Sequence, residues 1–98
     1  MKYSLVLREE IEFDLADGID WYEHQSTALG QQFRHAFDEA IAVIEDRPLS
    51  IAETSNGLRP YQMKRFPYLI HFRVRRSEIL IVAVMRATRD DSAFENRE

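Results

Sequence analysis

The side chains best able to do chemistry in this chain are cations, and they are unevenly placed. Residues 58–98 hold nine Lys and Arg, among them Arg59, Lys64, Arg65, Arg73, Arg86 and Arg89, against five Asp and Glu, a net charge of +4. Residues 1–57 carry twelve Asp and Glu against Lys2, Arg8, Arg34 and Arg47, a net −8, so the −4 of the whole chain joins two opposed halves. A basic half of this kind suits an acidic partner, either nucleic acid or an acidic protein segment. Other chemistries find less to work with. Without cysteine there is no thiol nucleophile, thiolate metal site or disulfide. His24, His35 and His71 are far apart, and no pair has the spacing of metal ligands on one helix or hairpin. His71 falls on the wetter side of its strand, where a hydrogen-bonded structural role is the simpler reading. Three glycines make no phosphate-cradling loop, and Ser4, Ser26, Ser50, Ser55, Ser77 and Ser92 stand in no nucleophile motif. The residues therefore imply no metal, no cofactor and no covalent catalysis.

These cations must be positioned by a small fold. Ninety-eight residues, 45% apolar and 31% charged, is the size and composition of one globular domain spanning residues 1–98. The first eight residues have too short an apolar stretch for a signal peptide. The longest apolar run, Ile79 to Met85, is far below the roughly 20 residues of a spanning helix, so the expectation is a cytoplasmic protein with no membrane association.

Tyr3 to Leu7 fits a first strand. Carboxylates at Glu9, Glu10 and Glu12 mark a helix start, and Ile11, Leu15, Ile19 and Tyr22 then lay one apolar stripe along a helix to about Gln25. Gly18, in its middle, suggests close packing. Ser26 to Gly30 reads as a break, after which Phe33, Phe37, Ala40, Ile41 and Ile44 mark a second helix ending before Pro48. Trp21, Tyr22, Phe33 and Phe37 all fit core or helix-hairpin contacts. Residues 48–57 have no period, and Ser55-Asn56-Gly57 signals a turn. Leu58 to Arg65 is a more polar strand, broken by Phe66-Pro67 from Tyr68 to Arg75, where Tyr68, Ile70, Phe72 and Val74 alternate with Leu69, His71, Arg73 and Arg75. After a tight turn at Arg76-Ser77, the uninterrupted apolar run Ile79 to Met85 predicts a strand central in the sheet or covered on both faces. The order β-α-α-β-β-β predicts an α+β fold in which a helical hairpin packs on one face of a mostly antiparallel sheet.

With that frame in place, the motifs Asp14-Leu15, Trp21-Tyr22-Glu23, Leu29-Gly30-Gln31-Gln32-Phe33, Arg59, Arg65-Phe66-Pro67-Tyr68-Leu69-Ile70, Ile81-Val82-Ala83-Val84 and Arg89-Asp90 occur in an order that resembles the RelE/ParE toxin superfamily, on its ParE side. The match runs in register over nearly the whole chain. The resemblance implies the toxin of a type II toxin-antitoxin, or plasmid stabilisation, pair, neutralised by a co-expressed antitoxin. For the target it implies DNA gyrase. Arg59, Arg65, Arg73, Arg86 and Arg89, the cations of the basic half, are the residues expected to bind antitoxin or target. Two positions depart from the ParE pattern: Arg86 stands where relatives often have histidine, and Asp91 where they often have proline.

The RelE branch implies a different activity, ribosome-dependent cleavage of mRNA without a metal, in which cations stabilise the phosphate and Lys, Arg or Tyr moves the proton. Laid on that pattern, Leu69 stands in place of an arginine and Phe94 near the place of a catalytic tyrosine. Leucine cannot neutralise a phosphate and phenylalanine has no hydroxyl, so the resemblance favours a binding toxin over a ribonuclease. A retargeted member that binds an antitoxin without toxicity is the third reading.

Overall fold

The computed structural model describes residues 2–87. Strand β1 (Ser4–Leu7) leads into helices α1 (Glu9–Glu23) and α2 (Thr27–Asp46), and two short 3-10 turns at Pro48–Ser50 and Ser55–Gly57 precede β2 (Arg59–Gln62), β3 (Tyr68–Arg75) and β4 (Glu78–Arg86). The sheet order is β1-β4-β3-β2, with β1 parallel to β4 and the other pairs antiparallel. The α+β order predicted from the sequence is the order observed.

The helices form an antiparallel hairpin because their close contacts run in opposite directions. A Cβ on Gly18 would stand 2.7 Å from the Phe33 ring, and one on Gly30 would stand 2.2 Å from the Glu23 side chain and 3.2 Å from the Ile19 carbonyl. The break between them is shorter than residues 26–30. Ser26 alone is extended (φ −169°, ψ 134°), and Thr27 to Gly30 already belong to α2. Gly30 reads like a loop glycine, yet it lies inside the helix to let α1 approach.

The core joins Ile11 and Leu15 of α1, Phe33, Phe37, Ile41 and Ile44 of α2, and Ile70, Phe72, Ile79, Ile81 and Val84 of the sheet. Tyr68 and Val74 pack against it from β3. Tyr22 and Phe33 are core contacts as expected, but Trp21 is not: it is 52% exposed, because α1 turns Ile11, Leu15 and Gly18 inward and Trp21 falls on the outer side.

Strand β4 is central, between β1 and β3. Its second face is not covered, however. The register changes between His71↔Ala83 and Phe72↔Ile81, so Val82 is one residue too many on β4. Such a bulge reverses the alternation. Ile79 and Ile81 face the helices before it and Val84 after it, while Val82 is 38% exposed. The polar strand is also shorter than Leu58 to Arg65. Pairing stops at Gln62, and Lys64 and Arg65 lie in the turn to β3.

Two stability measurements follow. Phe37 is 4% exposed, so Phe37→Ala should lower unfolding free energy by about 3–5 kcal/mol. In urea titrations, a loss well under that range would mean that the helix-sheet interface closes around the gap. Gly18→Ala should also destabilise: overpacking against the fully buried Phe33 opposes a helix-propensity gain of about 1 kcal/mol, for a net loss of about 1 kcal/mol or more. A raised urea midpoint would show instead that the ring gives way.

Candidate protein-binding face

Residues directly opposite in a sheet share a face, so the register assigns each side. Arg59↔Phe72, Tyr61↔Ile70, Tyr68↔Arg86, Ile70↔Val84 and Val74↔Ile79 point toward the helices. Leu69, paired with Met85 and Gln62, Arg73, paired with Leu80, and Arg75, paired with Glu78, point the other way, with Val6 beside Leu80. No element of the described residues packs over this second side. It therefore presents an apolar row, Val6, Leu80, Met85 and Leu69, edged by Gln62, His71, Arg73 and Arg75. The side chains of the row are partly exposed.

The structure sends the five arginines marked in the sequence to separate places. Arg59 is a staple of the fold. Its side chain is 16% exposed, Nη1 donates to the Ile51 carbonyl at 2.6 Å, and Nη2 lies 3.7 Å from Glu53 Oε1. Arg73, on the open face, donates from Nη1 to the Asn56 carbonyl. The two side chains thus grip the 51–57 segment, whose Asn56 and Gly57 take left-handed φ of 66° and 74°. Thr54 closes the same segment, with its amide and hydroxyl both donating to the Leu58 carbonyl at 2.7 and 3.0 Å.

Arg65 and Arg86 are exposed. Arg65 has a φ of 72°, rare for a residue with a side chain. That conformation turns the chain so that Phe66 enters the core, and leaves Lys64 and Arg65 beside a depression of about 360 Å³ lined also by Gln31, Gln32, His35 and Glu39. His35 Nε2 is 3.6 Å from Glu39 Oε1 there. No sequence motif announced this depression, because its walls come from α2 and a turn twenty-five or more residues later. Arg86 pairs with Tyr68 across β3 and β4. Arg89 and Phe94 lie outside the described residues, as does Asp91.

The Tyr68 phenol is pushed above its ordinary pKa, first by burial and then by nearby Tyr22, with Arg86 pulling partly back. A second depression, of about 380 Å³ and mainly apolar, runs between β1 and the helical hairpin, lined by Leu5, Leu7, Ile11, Leu15, Phe37 and Ile41. Among the described residues, no three His, Asp or Glu side chains stand together as a metal site would require. No described helix is long and apolar enough to cross a membrane.

A four-stranded sheet with one open face, apolar in the middle and edged by arginines, backed by a helical hairpin, defines a small α+β domain. The sequence pattern of the ParE toxin of the type II toxin-antitoxin system parDE matches residues 5–91, and the chain belongs to this family. It is the toxin of such a pair, and its partner is a cognate antitoxin. A solved chain from the chromosomal ParDE TA system of P. aeruginosa shares the fold, with a TM-score of 0.79 at 21% identity over 89% of this chain and 98% of that one. Nine chains of solved structures match in all. No curated protein matches.

The ionisation of Tyr68 supplies a test. Its folded-state pKa lies above the unfolded value of about 10, so the neutral phenol's contribution is present below that value and lost as pH rises through the folded pKa. Tyr68→Phe should accordingly flatten the alkaline fall of stability and remove one late-ionising phenol from an ultraviolet titration. An alkaline limb unchanged by the substitution would assign the fall to other groups.

Proposed function

We propose that this toxin acts by binding and poisoning a protein target, DNA gyrase, and does not cut mRNA. The observation that carries the reading is the composition of the open face. Where a metal-free ribonuclease needs donors converging on a phosphate, Leu69 sits between Met85 and Gln62. Removing one preorganised donor commonly lowers the rate by a factor of about 100 to 1,000, and Arg59 is committed to Ile51 and Glu53 on the other side of the sheet. Family membership supports the toxin role, and the apolar row supports protein contact. The deciding experiment sets a gyrase supercoiling assay beside a translating-ribosome assay. Loss of supercoiling or trapped cleaved DNA with intact mRNA is the expected result. Codon-dependent mRNA cuts with normal supercoiling would overturn the reading.

The antitoxin, on this proposal, orders a segment over the open sheet face in the cytoplasm, burying the Val6, Leu80, Met85, Leu69 row and pairing acidic groups with the arginines that edge it. Arg73, on that face, is one contact expected, and Arg65 and Arg86, on the helix side at the turn end of the sheet, are reached where the segment passes round that end; Arg59 holds the neighbouring loop in shape, and Arg89, a further contact expected, lies outside the described residues. Charge complementarity at a rim speeds and orients encounter. Arg65→Glu with Arg86→Glu should therefore weaken the complex about tenfold or more at low salt, with a shallower further loss as salt is raised. Titration calorimetry across a salt series checks both features, and an affinity unchanged at low salt would mean that the segment does not pass round the turn end to these two arginines. Arg65→Gly separates charge from backbone: it relieves the left-handed strain, so stability should hold or rise by up to about 1 kcal/mol while the charge contribution to binding is lost.

A further inference from the structure

The outer side of α1 shows a pattern that neither the core nor the open sheet face uses. Phe13 is 63% exposed and Trp21 52% exposed. They stand eight residues apart on one helix, about 12 Å along its axis at 1.5 Å per residue. Around them lie Glu9, Glu10, Asp14, Asp17 and Asp20, all exposed, and α1 contains no Lys or Arg. The first-turn carboxylates Glu9, Glu10 and Glu12 are accounted for by the positive end of the helix dipole. Asp17, in mid-helix, is not, and Asp20 and Glu23 stand in the last turn, where the dipole disfavours them. Among the described residues, Glu9, Glu10, Asp17 and Asp20 take part in no ion pair. Ion pairs form elsewhere, among them Arg34 with Asp38, His35 with Glu39, Arg47 with Asp46 and Arg59 with Glu53. Two large rings in water, interleaved with carboxylates set against the dipole, match the chemistry of a guanidinium, which stacks on a ring face and binds a carboxylate through two parallel hydrogen bonds. An ammonium does only part of this.

We infer that the outer face of α1 is a docking surface, separate from the open sheet face, and that its occupant is an arginine-rich segment of a partner protein. Charge complementarity is the reason for the occupant: the surface offers rings and negative charge only. The inference does not depend on which protein the toxin poisons.

Trp21 is the only tryptophan of the chain, so its emission reports the face directly. The full chain would be titrated with an arginine-rich peptide and with a lysine-rich peptide of the same length and charge. The arginine peptide should shift Trp21 emission saturably and bind more tightly than the lysine peptide. Phe13→Ala, and separately Asp17→Asn with Asp20→Asn, should each weaken it about tenfold with an unchanged circular dichroism spectrum. Lysine binding of equal strength, or indifference to Phe13→Ala, would reduce the face to a diffuse negative field and overturn the proposal. So would an absence of any saturable shift. Sedimentation showing a dimer that Phe13→Ala dissociates would give the face to a second copy of the chain instead.

Discussion

Four rings hold the layers of this protein together. Tyr22 comes from α1, Phe33 from α2, Phe66 from the turn before β3 and Tyr68 from β3 itself. Their centroids lie 4.8 Å apart for Tyr22 and Phe66, 4.9 Å for Phe33 and Tyr68, and 5.2 Å for Phe33 against both Tyr22 and Phe66. Pairs of this kind contribute about 0.5–1.5 kcal/mol each beyond the area they bury. The larger consequence is geometric. Phe33 can reach the cluster only if α1 presents no side chain at Gly18, and Phe66 only if the turn bends through the left-handed conformation at Arg65. The turn is then locked by backbone bonds, from Met63 N to the Tyr68 carbonyl at 2.9 Å and from Ala87 N to the Pro67 carbonyl at 2.6 Å. One cluster thereby sets the hairpin's closeness, the start of β3 and the direction of an exposed arginine.

The same economy appears in β4. An all-apolar strand in a two-layer fold has a side with nothing to pack against, since the helices cover only one face of the sheet. The bulge at Val82 lets Ile79, Ile81 and Val84 all point into the core although their spacing is two and then three. The residues left outside, Leu80, Val82 and Met85, are the apolar centre of the open face. The core and the open face thus draw on one run of sequence, which is why that run shows no polar alternation.

Periodicity makes most of the fold legible in the amino-acid sequence. The stripe Ile11, Leu15, Ile19, Tyr22 and the alternation of β3 are consequences of burying one side of a regular element, and both are observed. The features that periodicity does not reveal depend on contacts between distant residues. Gly30 looks like a loop glycine until the Glu23 side chain is placed against it. Trp21 looks like core because large aromatics usually are, but two residues of helix carry it well away from the stripe through Ile19. The bulge at Val82 has no mark in a run where every residue is apolar. The site is harder still: arginine count and spacing cannot separate Arg59, which serves the loop through the Ile51 carbonyl, from Arg65 and Arg86, which face solvent.

An open apolar sheet face has a thermodynamic consequence for a toxin of this size. A chain of this length buries only about two thirds of its unfolded surface, and here one side of the sheet adds little to that burial. Any partner that covers the face binds the folded state and not the unfolded one, so it raises the toxin's stability in proportion to the logarithm of its concentration over its dissociation constant. The row Val6, Leu80, Met85 and Leu69, which makes the free toxin adhesive, is then also what makes the bound toxin durable. On the binding mode proposed above, neutralisation and stabilisation become one event, because both follow from removing the same hydrocarbon from water. The acidic outer face of α1 lies on the other side of the helix layer from that row, so covering the one does not of itself cover the other.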